Sequence, residues 1–393
     1  MTEKRSLLIR NASIVTDQGV SQEGELLVED GKISWLAPKG GAAERGVPAG
    51  VEELDAEGGW ILPGFIDVHI HGGFGHDFMD GTVEAIEGIA RYHASHGTTG
   101  LLATTVTQSR EAISQVLEAA STYRAGAMPY AQLLGVHLEG PFISPKFPGA
   151  QNPDFIVEPR QEWLEAWVRD YPGLIKLLTL APERNGALEL IEWLAGQGII
   201  AAAGHTDASF DQITEAAGRG LSHAVHTFNA MRGLHHREPG TLGAVLTDNR
   251  IHAEVIADGH HVHPAGIRLL AAAKAPDRLL IITDAMSAAG LGDGEYDLGG
   301  LGVVVKDGVA RLKEGGALAG STLTMIDAFR YVLEHTDLSV AEVSRLASGN
   351  PAKRLGIDGH TGSLASGKDA DFVWTSPQLD IRGVWVQGRS VLS

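Results

Sequence analysis

Between residues 64 and 283, short apolar runs alternate with helical patterns eight times, and no other feature of this 393-residue chain narrows its fold as far. The runs fall at 64–68, 100–104, 133–138, 175–180, 199–203, 222–225, 251–257 and 279–283, with amphipathic stretches at 83–93, 110–120, 160–169, 187–197 and 210–219 between several of them. A short, fully apolar run followed by a helix-length segment is the pattern of a parallel βα unit, because parallel neighbours need a long crossover and are buried on both faces. Eight such units predict a TIM-type (β/α)8 barrel. A hairpin at 303–312 turning at Asp307-Gly308, then helices at 323–335 and 340–347, complete the segment.

The ends of the chain have a different texture. Residues 6–60 hold short β-prone runs at 7–14, 24–28 and 33–37, with turn chemistry at Asp30-Gly31. The same texture returns after 355, in Asp371-Phe372-Val373-Trp374 and Val384-Trp385-Val386-Gln387. Isolated hairpins are marginal in water, so the two pieces are expected to pair. The fold class is α/β: a barrel over 61–354 inserted into a small β-sandwich domain built from both chain termini, 1–60 and 355–393.

Composition then limits the chemistry. With 31 basic and 49 acidic residues the net charge is 31 − 49 = −18, which disfavours nucleic acid and anionic membranes as partners and requires a local basic pocket for any anionic ligand. Neither an apolar run of membrane-spanning length nor a secretory signal is visible, so a cytoplasmic protein is expected. The absence of cysteine excludes disulfides, a thiol nucleophile and thiolate metal sites; a metal would be held by carboxylates and by some of the 17 histidines.

Six residues of that kind each follow a strand: His69 and His71 the first, Glu139 the third, His205 the fifth, His226 the sixth and Asp284 the eighth. The C-terminal strand ends of a barrel ring one cavity, so these side chains should converge. Alone, His69-x-His71 is equally compatible with a structural pair; on an extended strand it sets two imidazoles on one side. Clustered buried carboxylates and imidazoles are costly unless paired or metal-bound. The mixed donor set suits Zn²⁺ first, then Fe²⁺, Co²⁺ or Mn²⁺, and an open coordination position would lower the pKa of a water, with Asp284 as proton shuttle.

At these residues the chain resembles a known family. Gly64-Phe65-Ile66-Asp67-Val68-His69-Ile70-His71-Gly72-Gly73, His137-Leu138-Glu139-Gly140-Pro141-Phe142, Gly204-His205-Thr206-Asp207-Ala208, His226-Thr227-Phe228-Asn229-Ala230-Met231, Ile256-Ala257-Asp258-Gly259 and Thr283-Asp284-Ala285 are similar to the N-acetylglucosamine-6-phosphate deacetylases of the amidohydrolase superfamily. Many amidohydrolases use a lysine at the end of strand four as a metal ligand. Here Lys176 lies early in that strand and is read as structural.

The resemblance implies an enzyme of amino sugar catabolism that removes the acetyl group of N-acetyl-D-glucosamine 6-phosphate. It implies that Glu139, His205 and His226 hold the main metal, that Asp284 is the general base and then acid, and that His69 and His71 make a second ion possible, so one or two per subunit. Asn229 and Ala230 would contact the sugar, Ala150 and Gln151 the acetamide end, and Leu318, Ala319 and Gly320 would close over it. Gln151 stands where some relatives have histidine; it could donate to the acetyl carbonyl but supplies no cationic group. For the phosphate, Asp258, Gly259, His260 and His261 form one side of an anchor, and Arg237 would reach it across a homodimer interface. His223, three residues before His226, is expected as a core histidine or a partner of a ligand. An amidohydrolase acting on another N-acyl substrate, for which Arg237 and His261 would be idle, and a non-enzymatic metal-binding homologue remain as alternatives.

Overall fold

The computed structural model describes residues 6–392. Eight parallel strands follow one another around the barrel in chain order: Phe65–Asp67, Thr98–Thr105, Gln132–Glu139, Ile175–Leu180, Ile200–Ala203, Leu221–Ala224, His252–Ile256 and Leu279–Ile282. Each lies within a few residues of its expected run. Ile66, Val68, Leu102, Leu177, Ala202, Val225, Ile256, Leu280 and Ile282 are all buried in one cluster that fills the barrel axis, and a larger apolar layer joins the strands to the surrounding helices.

The seam between the first and eighth strands is closed by a side chain. Asp67 Oδ2 accepts from Thr283 Oγ1 at 2.5 Å, Asp67 Oδ1 from the amides of Thr283 and His69, and just beyond the strands the Asp284 amide donates to His69 O at 2.9 Å. Burial raises the Asp67 carboxyl to about 7, although these hydrogen bonds oppose the rise.

The helices begin where the sequence supplies caps: Ser109 before Arg110–Arg124, and Ser209 with Gln212 in a reciprocal capping box before Phe210–Arg219. Each cap stabilises its helix by about 1 kcal/mol. Two details differ from expectation. Gly294–Leu298 adds a strand to the expected hairpin, making a three-stranded antiparallel sheet with Leu301–Lys306 and Val309–Leu312; its Gly-Glu-Tyr-Asp-Leu sequence between glycine-rich segments carries little strand signal. Helix Val340–Ser344 continues through a π-helical turn, Arg345–Gly349, into Asn350–Arg354 rather than stopping at 347.

The terminal pieces meet in one eight-stranded sheet. Strand Leu7–Thr16 pairs along one side with Gly19–Glu29; on the other it pairs first with Glu52–Asp55 and then with Trp60–Pro63, so the sheet forks there. Trp60–Pro63 pairs in turn with Phe372–Thr375, which carries the C-terminal strands. Leu7, Ile9, Ile14, Leu26, Val28, Ile33, Ile61 and Phe372 form the buried core of this layer. No helix among the described residues is long and apolar enough to cross a membrane.

Candidate active site

The strands that build the barrel also aim the site. His205, His226 and Asp284 lie two residues beyond their strands and take positive φ, 48°, 29° and 51°. A left-handed residue ends an extended strand abruptly and costs a non-glycine side chain on the order of 1 kcal/mol or more, which the surrounding backbone must hold in place. It does so here: Ser144 donates to the carbonyl of His205 at 2.8 Å and Ser321 to that of Asp284 at 2.7 Å.

All six expected ligands converge, each less than a tenth exposed. Glu139 is the hub. Its Oε1 lies 3.0 Å from His226 Nε2 and 3.2 Å from both His205 Nε2 and His69 Nε2, and its Oε2 lies 3.4 Å from His71 Nε2. Asp284 Oδ1 is 3.1 Å from His71 Nε2 and 3.6 Å from His69 Nε2. Two groups, His69 with His71 and Asp284, and His69 with Glu139 and His226, each keep their donor atoms within 4.8 Å of one another.

The tautomers tell what belongs at the centre. His69 Nδ1 donates to Glu254 Oε2 at 2.8 Å, His71 Nδ1 to the carbonyl of Thr104 at 3.3 Å, and His205 Nδ1 to the carbonyl of Phe147 at 3.1 Å. In the neutral rings the inward Nε2 atoms then carry lone pairs. His205 Nε2 faces His226 Nε2 at 3.1 Å, and His69 Nε2 is buried with no hydrogen bond of acceptable geometry despite its 3.2 Å approach to Glu139. These donor atoms, spaced at 3.0–3.2 Å, stand slightly closer than the roughly 3.4 Å edges of a tetrahedron around an ion with bonds of about 2.1 Å, so a small outward movement would seat one. A divalent cation therefore fits these residues.

The protonation preferences agree. Burial opposes charge on His69 and His71, but Glu139, Glu254 and Asp284 outweigh it; His69 is raised well above the ordinary imidazole range, and hydrogen bonds to Asp284 and Glu139 take His71 to about 10. Burial likewise pushes Glu139 and Asp284 upward, yet the facing imidazoles hold both carboxyls below their ordinary values. The carboxylates thus favour positive charge at the inward Nε2 atoms, and a divalent ion would supply it in place of ring protons.

A cavity of about 390 Å³ opens over this cluster. Ala150, Gln151, Asn229, Ala230, His261, Leu318 and Gly320 line it as expected; Arg237, Asp258, Gly259, His260 and Ala319 do not. Asp258 instead orients His261, accepting from its amide at 2.8 Å and from Nδ1 at 2.6 Å. Gly259 packs under Tyr331, Ala319 is fully buried, and His260 and Arg237 are exposed. Gln151 is used at both ends: its Nε2 donates to Glu139 Oε2 and its Oε1 accepts from the Thr107 amide, both at 2.6 Å, which leaves one Nε2 hydrogen for a carbonyl.

Two residues were not anticipated. Lys146 lines the cavity and pairs with Asp207 at 2.9 Å. Glu254, wholly buried, accepts from His69 Nδ1 and His223 Nε2, both at 2.8 Å, and from the His226 amide at 3.3 Å. The available signal was a carboxylate in the middle of a mostly apolar strand. Its partner His223, expected as a core histidine or a partner of a ligand, is buried and bonds to Glu254 rather than to a ligand.

A match to the amidohydrolase family extends over residues 60–391. The chain is 42% identical, over 96% of its length and 94% of the relative's, to an N-acetylglucosamine-6-phosphate deacetylase of Bacillus subtilis (strain 168). It is 39% identical, over 97% of its length and 98% of the relative's, to an N-acetylgalactosamine-6-phosphate deacetylase of Escherichia coli O157:H7. A mutant N-acetyl-D-glucosamine-6-phosphate deacetylase from Mycobacterium smegmatis, solved in complex with N-acetyl-D-glucosamine-6-phosphate, superposes with a TM-score of 0.91 at 33% identity, covering 99% of this chain and 100% of the other.

Proposed function

Starting from the chain's membership of the amidohydrolase family, we propose that it hydrolyses the acetamide of N-acetyl-D-glucosamine 6-phosphate to acetate and D-glucosamine 6-phosphate. The observation that carries this reading is the convergence of inward Nε2 atoms on Glu139 with Asp284 beside them. Glu139, His205 and His226 would hold the main cation, with His69 and His71 beside Asp284 available to a second. Zn²⁺ is the first assignment from the imidazole and carboxylate donors. When bound, such a cation supplies Lewis acidity, polarising the amide carbonyl and making a water easier to deprotonate.

The chain's own residues do the rest. Asp284, whose carboxyl is held below its ordinary value by the facing imidazoles and would be held so by a bound cation, takes a proton from the attacking water and returns it to the amine nitrogen as the C–N bond breaks. Gln151 holds Glu139 in orientation, and Asn229, Ala230 and Leu318 bound the sugar. His261, steadied by Asp258, faces the phosphate. Arg237, exposed and outside its own cavity, is assigned to the phosphate in a partner subunit's cavity, so the working unit is a homodimer. A sugar phosphate does not cross membranes unaided, which places the reaction in the cytoplasm.

The galactosamine relative supports a second reading in which the 4-epimer is the substrate. Acetate release from both phosphorylated epimers and from unphosphorylated N-acetylglucosamine, by chelated enzyme with and without Zn²⁺, tests these assignments. Metal-dependent turnover of a phosphorylated epimer alone is expected, with the larger kcat/KM identifying the substrate; equal turnover of the unphosphorylated sugar would remove the phosphate anchor. Arg237→Ala should raise KM for the phosphorylated sugar at least about tenfold, in line with losing a bidentate charged contact, with light scattering reporting a dimer. An unchanged KM would assign the phosphate elsewhere.

A further inference from the structure

A second cavity, of about 560 Å³, lies at the opposite, N-terminal end of the barrel, between strands Thr98–Thr105, Gln132–Glu139 and Ile175–Leu180 and the terminal β sheet. It is larger than the cavity over the metal ligands and falls in the range of small-molecule sites. Arg124 and Lys176 both line it. In a chain with a net charge of −18, neither forms an ion pair or hydrogen bond among the described residues. Partial burial pulls both below their ordinary pKa, and the charge acting on Lys176 is that of Arg124 itself.

The surrounding groups do not neutralise them. Asp369 lines the cavity but is committed to Lys32 at 2.7 Å. Asp371 accepts from Thr361 Oγ1 and the Gln387 amide, both at 2.7 Å, and burial raises its carboxyl to about 6. A third cation, Arg389, donates to the carbonyl of Met128, which also lines the cavity, at 3.3 Å. Gly135 makes room for the lysine: a Cβ there would lie 2.5 Å from Lys176 Cγ. Beyond the two charges the walls carry Ile66, Leu134 and Ile357, with Tyr171 and Gln132 as polar groups.

We propose that this cavity is a second ligand site, separate from the barrel's metal-ligand end, that binds a small phosphate monoester with its phosphate between Arg124 and Lys176. Two cations lining one cavity can converge on a single tetrahedral dianion, whereas a dicarboxylate carries its charges several bonds apart. Arginine's fork and lysine's ammonium are the usual phosphate donors. The apolar wall and the hydroxyl and amide beside it accept the ester's carbon body. Among the described residues no ion pair or hydrogen bond offsets the repulsion acting on Lys176, and an anionic ligand would.

Titration calorimetry of the metal-loaded full-length enzyme with glycerol 3-phosphate tests this. A saturable component is expected that Arg237→Ala leaves in place and that Arg124→Gln/Lys176→Gln weakens at least about tenfold, while kcat for deacetylation stays unchanged in the double variant. Lys176→Arg, which keeps the charge, should retain binding, so that misfolding and loss of the site are told apart. The proposal is overturned by the absence of that component in the wild type, by equal affinity in the double variant, or by succinate binding as tightly as glycerol 3-phosphate.

Discussion

Glu139 and Glu254 are both buried and both ionised, yet they act on the imidazoles from opposite sides. Glu139 faces the Nε2 atoms of His69, His71, His205 and His226, whereas Glu254 takes the outer hydrogens of His69 and His223. Fixing Nδ1–H on His69 is what leaves its Nε2 free for a metal. Glu254→Gln offers an amide hydrogen where an acceptor is required, and we expect metal affinity to fall by roughly 10–100-fold, measured by chelator competition; unchanged affinity would make Glu254 a packing residue. Asp284→Asn should retain metal and lose on the order of 10²- to 10⁴-fold in turnover, the usual contribution of a positioned proton-transfer group. Metal content and acetate release on one preparation separate the two effects, and wild-type turnover in that variant would remove the shuttle.

Helix Val83–Ala94 shows how an element outside the ligand set supports it. His93 on its inner face is fully buried and donates from Nε2 to the carbonyl of Gly72 at 2.9 Å, just past the His69–His71 segment; its Nδ1 is unpaired, so the ring is neutral. Burial lowers its pKa from 6.5 to about 4, with the Gly72 bond opposing. A base depressed in the fold contributes stability above its unfolded value, near 6.5, and loses it as pH falls through about 4. The size is on the order of 3 kcal/mol. His93→Gln keeps a donor for Gly72 without titrating, so the urea stability gap between wild type and variant should shrink or reverse from pH 6.5 towards pH 4. A gap independent of pH would mean that His93 is not buried as a neutral ring. At this scale the sequence was readable wherever period and caps agreed, as in helix Phe210–Arg219. It was silent for Gly294–Leu298, whose strand exists because Leu301–Lys306 offers it an edge.

Taken as a whole molecule, the candidate site residues come from the ends of five different barrel strands, and a cation held by Glu139, His205 and His226 would tie together segments up to 87 residues apart. Stripping it with a chelator should lower the melting temperature, and Zn²⁺ should restore it, by a free energy of about 4 kcal/mol at a thousandfold excess over Kd. A melting temperature indifferent to metal would mean that the site is empty in the folded enzyme or binds the unfolded chain equally well. By itself the sequence determined the barrel and the six converging residues: eight buried runs admit few closed arrangements, and any polar residue just past such a run faces the same mouth. It also determined that both termini share one β layer. Tertiary structure alone decided that Glu254 supports His69, that Gln151 turns to Glu139, that Arg237 lies outside its own cavity, and that Arg124 and Lys176 line one cavity at the far end. These pairings join residues far apart in sequence, and hydrogen-bond direction and charge proximity depend on angles and distances that no local pattern of residue types records.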